Sequence, residues 1–275
     1  MKNNLAEKTN SQEILKHYSR FDESSRLNSG FGQIQFHRSK ELILRYLKKE
    51  PQTILDVGGA CGQYSFWLAE LGHKAHLIDI VPHHIDKANA LQENSVNKLA
   101  SLHVGDALSI EFPDEFADAV LLFGPIYHLV NKEDRIRALK EALRALKPHG
   151  QLFVHAINRY SGIVFGTTRG FVLDPEYMEM TRNEVRTGLR SNAPAWLNSF
   201  SQAHFHHPDE LRDEIIQAGF KCEGVYGVVG CAWQVPDLDE ELKNPTKKAS
   251  ILEVARLVEN DPVISPDMLA VCTKK

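Results

Sequence analysis

Short apolar runs alternate with helix-like segments along the sequence from Thr53 to Ile157. The separating segments place apolar residues at three- and four-residue spacing, which is typical of amphipathic helices. The clearest of them predicts a helix over residues 132–147, with Asn131 as its N-cap and Pro148-His149-Gly150 after its end. Buried strands that alternate with helices predict a parallel sheet covered on both faces by right-handed crossovers. The strand-like runs are TILDVG, KAHLID, SLHVG, DAVLLF and QLFVHAI.

The chain on either side of this alternation has a different pattern. Helical spacing before it predicts helices over 12–21 and 39–49, with a loop at 28–32 between them. Residues 159–205 show no clear strand, and because a structureless loop of that length is rare inside a compact domain, we expect an inserted cap there, with one helix over 181–190. After the cap, a helix over 208–218, a strand-like run, a further helix and a last apolar run follow. The expected organisation is an N-terminal helical lid (1–50), a sheet domain (51–158 and 206–275) and a substrate cap (159–205).

Charge and composition narrow the class of protein. Lys and Arg total 32 and Asp and Glu total 36, which leaves a net charge of −4 over 275 residues. Because the chain lacks the positive excess that attracts phosphate backbones, we predict no nucleic-acid partner. No apolar stretch approaches the roughly 18 residues that span a bilayer, and the N-terminus is too polar for a signal peptide, so we expect a cytoplasmic protein without membrane contact. The four cysteines stand singly and the histidines lack zincin spacing, which predicts free thiols and no metal site.

The strongest chemical signal is the glycine-rich turn that follows the first strand-like run. Gly58, Gly59 and Gly62 allow positive φ angles and close approach of the backbone to a ligand, and the next helix presents free N–H groups. The second run ends in Asp79, whose carboxylate can accept hydrogen bonds from two ribose hydroxyls. The sequence therefore predicts a nucleotide-like ligand at the carboxyl edge of the sheet.

The spacing of this turn excludes two common nucleotide motifs. The dinucleotide fingerprint G-x-G-x-x-G, started at Gly58, requires glycines where Ala60 and Gln63 stand. The phosphate-binding loop that ends in Gly-Lys-Ser/Thr is also absent from the sequence. What remains is an acid, Asp56, two residues before the first glycine.

This arrangement resembles motif I of the class I S-adenosylmethionine-dependent methyltransferases. The resemblance implies a doubly wound, mostly parallel seven-stranded Rossmann-like sheet, with S-adenosylmethionine as the cofactor. It places the motif I turn against the amino-acid part of the cofactor, Asp79 at the ribose, and Asp106 with Ala107 at the adenine. It further implies that Tyr18 and Arg26, in the N-terminal segment with Phe21, fold over the cofactor. The cofactor-binding residues predicted in this way are Asp56, Gly58, Gly59, Gly62, Asp79, Ile80, Asp106, Ala107, Phe123, Tyr18 and Arg26.

The end of the fourth strand-like run bears on the methyl acceptor. Many relatives that act on amino groups of nucleobases or of glutamine carry Asn-Pro-Pro-Tyr there, whereas this chain has Phe-Gly-Pro-Ile-Tyr. The C-x-x-x-C-x-x-C triad of radical chemistry is absent as well. We therefore expect methyl transfer to an O, N, S or C nucleophile of a small molecule.

The catalytic candidates are Tyr127 and His128, which directly follow the fourth strand-like run and so fall beside the expected methyl group. Histidine is the side chain best suited to accept a proton near neutral pH, so His128 is the predicted base. Three other interpretations stay open: an NAD(P)-dependent oxidoreductase, a non-catalytic protein that binds S-adenosylmethionine or its demethylated product, and a protein methyltransferase. The sequence does not identify the acceptor or the oligomeric state.

Overall fold

The computed structural model describes residues 14, 15, 18, 23–197, 199, 200 and 202–275. Most of the predicted helix over 12–21, including Phe21, lies outside the described residues. The strands are β1 (Thr53–Val57), β2 (Lys74–Asp79), β3 (Ser101–Val104), β4 (Ala117–Phe123), β5 (Leu146–Ile157), β6 (Leu189–Arg190), β7 (Ala203–His204), β8 (Phe220–Gly227) and β9 (Asp267–Lys274).

Helices connect most of these strands. The α-helices are α1 (Phe31–Tyr46), α2 (Gln63–Glu70), α3 (Pro82–Glu93), α4 (Pro125–His128), α5 (Lys132–Ala145), α6 (Ser161–Thr168), α7 (Pro175–Thr187), α8 (Pro208–Ala218), α9 (Leu238–Glu241) and α10 (Pro245–Leu257). Short 3₁₀ segments occur at Glu23–Asn28, Phe171–Leu173, Ala232–Gln234 and Pro262–Ile264. Within the described chain, no helix is both long and apolar enough to cross a membrane.

The central sheet has seven strands in the order β3-β2-β1-β4-β5-β9-β8. Strands β1 to β5 pair in parallel, and β9 runs antiparallel to both of its neighbours, β5 and β8. Apolar side chains from the two faces of the sheet form two separate hydrophobic clusters beneath the covering helices. The predicted fold class, a doubly wound and mostly parallel seven-stranded sheet, is confirmed. The carboxyl ends of β1, β2, β3 and β4 meet at one edge, as the sequence predicted.

The structure corrects the predicted loop at 28–32. Helix α1 begins at Phe31, eight residues before the predicted start at Ser39, and a 3₁₀ segment precedes it. Gly32 lies so close to the backbone of this segment that a Cβ there would clash with the carbonyl oxygen of Arg26. The glycine that suggested a loop therefore allows the helix to pass close to the N-terminal segment.

Residues 159–205, which we call the insertion, lie between the end of β5 and the start of α8. They form α6, α7 and a two-stranded antiparallel sheet of β6 and β7, so the expectation of no strand was wrong. The helix predicted over 181–190 is α7, which begins earlier, at Pro175, and ends at Thr187. The Asp174 side chain caps its start by accepting a hydrogen bond from the Tyr177 N–H, and Gly188, with a φ of 78°, follows its end. The strands of two residues each are too short to give a visible alternation.

The two ends of the insertion meet at a neck, formed by Ile157, Asn158 and Arg159 on one side and Phe205 with His206 on the other. The His206 N–H donates to the Ile157 carbonyl at 2.8 Å, and the Arg159 N–H donates to the His206 carbonyl at 2.8 Å. Residues 158 and 206 form a parallel bridge. The insertion is thus held by backbone hydrogen bonds at its point of exit from the sheet.

A buried ion pair lies directly beneath this neck. Arg135 of α5 donates to both carboxylate oxygens of Glu214 of α8, at 2.9 and 2.7 Å, and to the carbonyls of Leu129 and Val130. His206 lies 3.3 Å from the same carboxylate and is fully buried. Burial lowers the pKa of His206 to about 4, so its imidazole is neutral at neutral pH.

Candidate active site

A cavity of about 920 Å³ of empty space, part of it open to solvent, lies at the carboxyl edge of the sheet. Its walls come from the turn after β1, the ends of β2, β3 and β4, and the N-terminal segment around Tyr18 and Arg26. The structure thus brings together the strand ends from which the sequence predicted a ligand site.

The turn after β1 is shaped by Gly58. Its φ is 77°, its N–H donates to the carbonyl of Ile78 at 2.8 Å, and a Cβ there would clash with the Pro125 ring. Ala60, which stands where the usual G-x-G-x-G pattern has a glycine, also has a positive φ of 51°. Such a conformation strains an L side chain. The Ala60 N–H donates to Asp79 Oδ2 at 2.8 Å, which ties this strained residue to the end of β2.

Asp79 lies in the cavity wall and organises its surroundings. Besides the Ala60 N–H, its carboxylate accepts hydrogen bonds from the Val81 N–H at 2.9 Å and from His84 Nδ1 at 3.1 Å. A carboxylate has about four acceptor positions, so roughly one remains for a ligand hydroxyl. His84 also lines the cavity, and its Nε2 is buried without a hydrogen-bond partner among the described residues. This orphaned ring nitrogen fits a polar ligand group next to Asp79, as the ribose of a nucleoside would provide.

Two predicted contact residues lie behind the cavity wall. Asp56 is completely buried and accepts a hydrogen bond from Ser65 Oγ at 2.6 Å, and a Cβ on Gly59 would meet its Oδ2 at 2.5 Å. Burial raises the pKa of Asp56 to about 6. Gly62 is the N-cap residue of α2, with a φ of 84°. For these two residues the structure corrects the predicted contact, because strand alternation and helix capping turn them away from the cavity, and they support the turn from behind.

The other predicted residues lie around one cavity. Gly58, Gly59, Asp79, Ile80, Asp106, Ala107, Phe123, Tyr18 and Arg26 all line the cavity. Asp106 Oδ1 accepts a hydrogen bond from the Leu108 N–H at 2.9 Å, which fixes the turn after β3. That these residues bind the cofactor stays a prediction, and their position around one cavity is consistent with it.

The N-terminal segment closes the cavity from above. The Tyr18 hydroxyl lies 3.0 Å from His128 Nε2, and the two rings meet edge to face. Arg26 pairs with Glu23 and donates from Nη1 to Gln35 Oε1 at 2.7 Å. Tyr18 therefore contacts α4, and Arg26 contacts α1.

Tyr127 and His128 both line this cavity. Burial raises the pKa of Tyr127 to about 12, so near neutral pH its hydroxyl is protonated and can donate a hydrogen bond. Together with Tyr18 and Phe200, the two residues form a cluster of aromatic rings. The two rings of the predicted catalytic pair thus lie against the N-terminal segment and the insertion.

A second cavity of about 1300 Å³ adjoins the first and extends under the insertion. Aromatic side chains of the insertion cover much of its wall, and Arg169 and Arg190 also line it. The rings of Trp196 and Trp233 do not line this cavity: Trp196 stacks on Tyr177, and Trp233 is buried against Phe165. The residues common to both cavities are Tyr18, Glu23, Arg26, Gln35, Tyr127 and His155.

Sequence reasoning missed three polar residues in or beside this shared wall, Gln35, His155 and Asp267. Gln35 Nε2 lies 2.8 Å from His155 Nε2, and the same ring nitrogen lies 3.1 Å from Asp267 Oδ2. His155 comes near the end of the strand-like run QLFVHAI, on the edge where the other strand ends carry predicted site residues, so its position was a usable signal. Gln35 and Asp267 lie more than a hundred residues from it in sequence and gave no comparable signal.

Comparison with known proteins relates part of the chain to methyltransferases. Residues 55–154 match the family described as a methyltransferase domain. A mouse protein described as a probable tRNA methyltransferase 9B is 32% identical over 108 residues, 39% of this chain and 22% of that protein. The ubiquinone/menaquinone biosynthesis C-methyltransferase of Caulobacter vibrioides is 30% identical over 130 residues, 44% of this chain and 50% of that protein. The chain therefore spans about a fifth to a half of the length of these relatives.

A solved structure supports the fold across nearly the whole chain. The 1,6-didemethyltoxoflavin-N1-methyltransferase of Burkholderia thailandensis, with its substrate and S-adenosylhomocysteine bound, superposes with a TM-score of 0.60 at 12% identity. The match covers 99% of this chain and 90% of that one. Residues 55–154 are therefore identified as a methyltransferase domain, and the superposition shows that the chain shares the fold of that solved structure. The orphaned His84 nitrogen and the glycine cradle at Gly58 fit the cofactor that the motif I turn predicts, S-adenosylmethionine.

Proposed function

We propose that this chain transfers a methyl group from S-adenosylmethionine to a nucleophile of a small molecule held in the second cavity. The observation that carries the proposal is the wall that the two cavities share. Ligands on either side of Tyr127 and His155 would lie next to each other, as an in-line displacement at a methyl group requires. Methyl transfer between bound partners draws mainly on proximity, alignment and exclusion of water.

The lining of the second cavity indicates the chemistry of the acceptor. Rings dominate the wall, and the charged side chains are few and mostly paired: Arg190 with Glu184, and Arg26 with Glu23. Arg169, at the exposed end of α6, lies with its guanidinium 5.8 Å from the centre of the Phe165 ring. These features favour a planar, mostly apolar acceptor. The rings that line the cavity are Tyr18, Phe31, Tyr127, His155, Phe165, Phe171, Tyr177, Phe200 and Phe205.

The roles of the chain's own residues follow from this geometry. Asp79 and His84 would hold the polar sugar part of the cofactor, and the segment around Tyr18 and Arg26 would exclude water from above. Tyr127, protonated near neutral pH, would donate a hydrogen bond to a group in the shared wall. The bound cofactor supplies the transferable methyl group. The predicted role of His128 as the base stays a prediction, with its Nε2 within hydrogen-bond distance of the Tyr18 hydroxyl.

A transfer assay with three acceptor fractions tests the proposal. The protein is incubated with methyl-labelled S-adenosylmethionine and, in turn, with the small-molecule filtrate of a cell extract, total tRNA and the protein fraction of the same extract. We expect label in the filtrate, in a compound that gains the mass of one methylene. Label confined to tRNA or to protein would contradict the small-molecule assignment. Binding of NAD instead of S-adenosylmethionine in calorimetric titration would contradict the cofactor.

A pair of leucine variants tests the place of the acceptor. Leu197 lines the second cavity, whereas Leu173, in the same insertion, is 86% exposed. Leu197→Ala should raise the KM for the recovered acceptor severalfold and leave the affinity for S-adenosylmethionine unchanged. Leu173→Ala is the matched control and should behave like the unaltered protein. Equal KM values in both variants would remove the acceptor from this cavity.

A further inference from the structure

The ring of His155 occupies the boundary between the two cavities. It lies near the end of β5, where its Cα pairs with Phe123 of β4 and with Leu269 of β9. Its ring centroid is 5.6 Å from that of Phe123 and 6.4 Å from that of Tyr127. His155 lines both cavities, whereas the second cavity's lining does not extend to His128.

A buried carboxylate orients this imidazole. Asp267, 4% exposed, approaches His155 Nε2 with Oδ2 at 3.1 Å. Its other oxygen is held by the Ser265 hydroxyl at 3.1 Å and by the Val229 N–H at 3.3 Å. The carboxylate is therefore fixed by the protein, with one oxygen directed at the ring.

The contacts of Nε2 determine which ring nitrogen carries the proton. Gln35, whose oxygen accepts from Arg26, presents its amide nitrogen to Nε2 and competes with Asp267 for it. Hydrogen bonds to a charged acceptor are about twice as strong as those between neutral groups, which favours the contact with the carboxylate. With the proton on Nε2, the ring donates to Asp267, and the Gln35 amide has to turn its N–H groups away from this nitrogen. Within the described part of the chain, no residue hydrogen-bonds to Nδ1, which is left with a lone pair.

We propose that His155, oriented by Asp267, is the catalytic base of this methyltransferase and that its acceptor is therefore a hydroxyl, amine or thiol that loses a proton on methylation. The proposal rests on the proposed function and names its substrate class. The acceptor atom forms a bond to the methyl carbon, the bond from that carbon to the sulfonium sulfur breaks with its electron pair left on sulfur, and the acceptor proton passes to Nδ1 of His155. The resulting imidazolium is stabilised by Asp267, and its proton leaves to water after the product departs.

Charged groups approach His155 from two directions. Asp267 of β9 contacts Nε2 directly, and the Glu23–Arg26 pair reaches the ring through Gln35. Tyr127 of α4 is protonated near neutral pH and contributes no charge there. Asp267 is thus the charged group in direct contact with the ring.

The first arm of the test needs no acceptor. Long-range ¹H–¹⁵N NMR of the full chain with ¹⁵N-labelled histidine reports which ring nitrogen carries the proton, and the signals of His155 are assigned with His155→Gln. We expect the Nε2–H tautomer in the unaltered protein. In Asp267→Asn the new amide donates to Nε2, so the Nδ1–H tautomer should appear. A proton on Nδ1 in the unaltered protein would overturn the proposal, whatever the outcome of the transfer assay.

The second arm uses the acceptor recovered in the transfer assay. His155→Gln and Asp267→Asn should lower kcat by about 10² to 10⁴-fold, with the KM for S-adenosylmethionine unchanged. The rise of kcat with pH should disappear in His155→Gln, and added imidazole should restore part of the rate. His103→Gln, an exposed histidine on β3, is the control and should match the unaltered protein. Full kcat in His155→Gln, or a comparable loss in His128→Gln alone, would overturn the assignment.

The two arms separate failure of this inference from failure of the proposed function. If no fraction accepts label, the proposed function fails while the NMR arm still decides the tautomer. If label is transferred and His155→Gln retains kcat, the methyltransferase stands and the base is located elsewhere.

Discussion

Protonation of His206 is expected to destabilise the neck from which the insertion leaves the sheet. This imidazole is fully buried beside the Arg135–Glu214 ion pair, and burial lowers its pKa from 6.5 to about 4. In the unfolded chain the ring takes up a proton near pH 6.5, whereas in the folded protein it does so only near pH 4. Its contribution to stability is therefore complete above pH 6.5 and is lost as the pH falls toward 4.

The size of the effect follows from the shift. At 1.36 kcal/mol for each pKa unit, the full loss amounts to about 3 kcal/mol, a large fraction of the stability of an ordinary domain. Asp56 acts in the opposite sense: because burial raises its pKa from 3.8 to about 6, the folded protein binds this proton first and gains stability as the pH falls through that range. The acid response of the unaltered protein is thus a sum of opposing contributions. A difference between variants isolates His206.

Urea unfolding at several pH values between 6.5 and 4.5 provides the measurement. This window lies above the range in which Glu210 and Glu214, with pKa values held at about 2, lose their contribution. Burial alone would raise the pKa of Glu214, but hydrogen bonds from His206 and Arg135 lower it. His206→Gln should unfold with a free energy that falls less steeply with acid than that of the unaltered protein, by about 2 to 3 kcal/mol across the window. His103→Gln, which removes an exposed histidine, should keep the original slope.

The comparison uses slopes, because His206→Gln also changes packing at every pH. Identical acid slopes in His206→Gln and in the unaltered protein would refute the reasoning, since they would show that His206 takes up its proton alike in the folded and unfolded states.

Three further predictions concern the turn, the strand end and the ion pair. Gly58→Ala should lower the affinity for S-adenosylmethionine more than tenfold in calorimetry, because its Cβ would clash with the Pro125 ring. Gly72 also has a positive φ, 88°, but open space around its Cβ, so Gly72→Ala should leave the affinity unchanged. Equal losses of affinity in the two variants would contradict the argument from this clash. Asp79→Ala should weaken cofactor binding. It should also lower the free energy of unfolding in urea by about 1 to 3 kcal/mol for each buried donor that it leaves without an acceptor. A variant as stable as the unaltered protein would show that these hydrogen bonds contribute little to stability. Arg135→Met should lower the free energy of unfolding in urea by about 3 to 5 kcal/mol, because it leaves the Glu214 carboxylate buried without its cation. A loss below 1 kcal/mol would contradict the view that Arg135 compensates this buried charge.

The sequence predicted those parts of the fold and site that depend on local pattern. Strand ends are recognisable because a buried run stops at a polar residue, which is how Asp79 and Asp106 were identified. The role of Asp56 could not be read in the same way, because its position behind the turn depends on which face of β1 meets the cavity. That face is set by packing against α2, through Ser65.

The polar residues of the shared wall needed the tertiary structure. Gln35 and Asp267 reach His155 across 120 and 112 residues of sequence, and each lies on an element whose apolar pattern indicates only a helix or a strand. Gly32 led to the wrong prediction of a loop for a different reason. In sequence, a glycine that lets a helix pack closely against its neighbour cannot be distinguished from a glycine that ends a helix. The strands β6 and β7 could not be predicted, because two residues are too few to show an alternation of apolar and polar positions.

The neck also has a consequence for how this protein can diversify. The insertion departs and returns through adjacent backbone positions, Asn158 and His206, so its length and sequence are not coupled to the register of β5 or to the placement of α8. Loop closure costs rise only slowly with the number of residues enclosed, so segments of different size can be accommodated at the same two positions. Exchange of this one contiguous stretch of gene would therefore rebuild much of the wall of the second cavity, while the strand ends that line the first cavity stay unchanged.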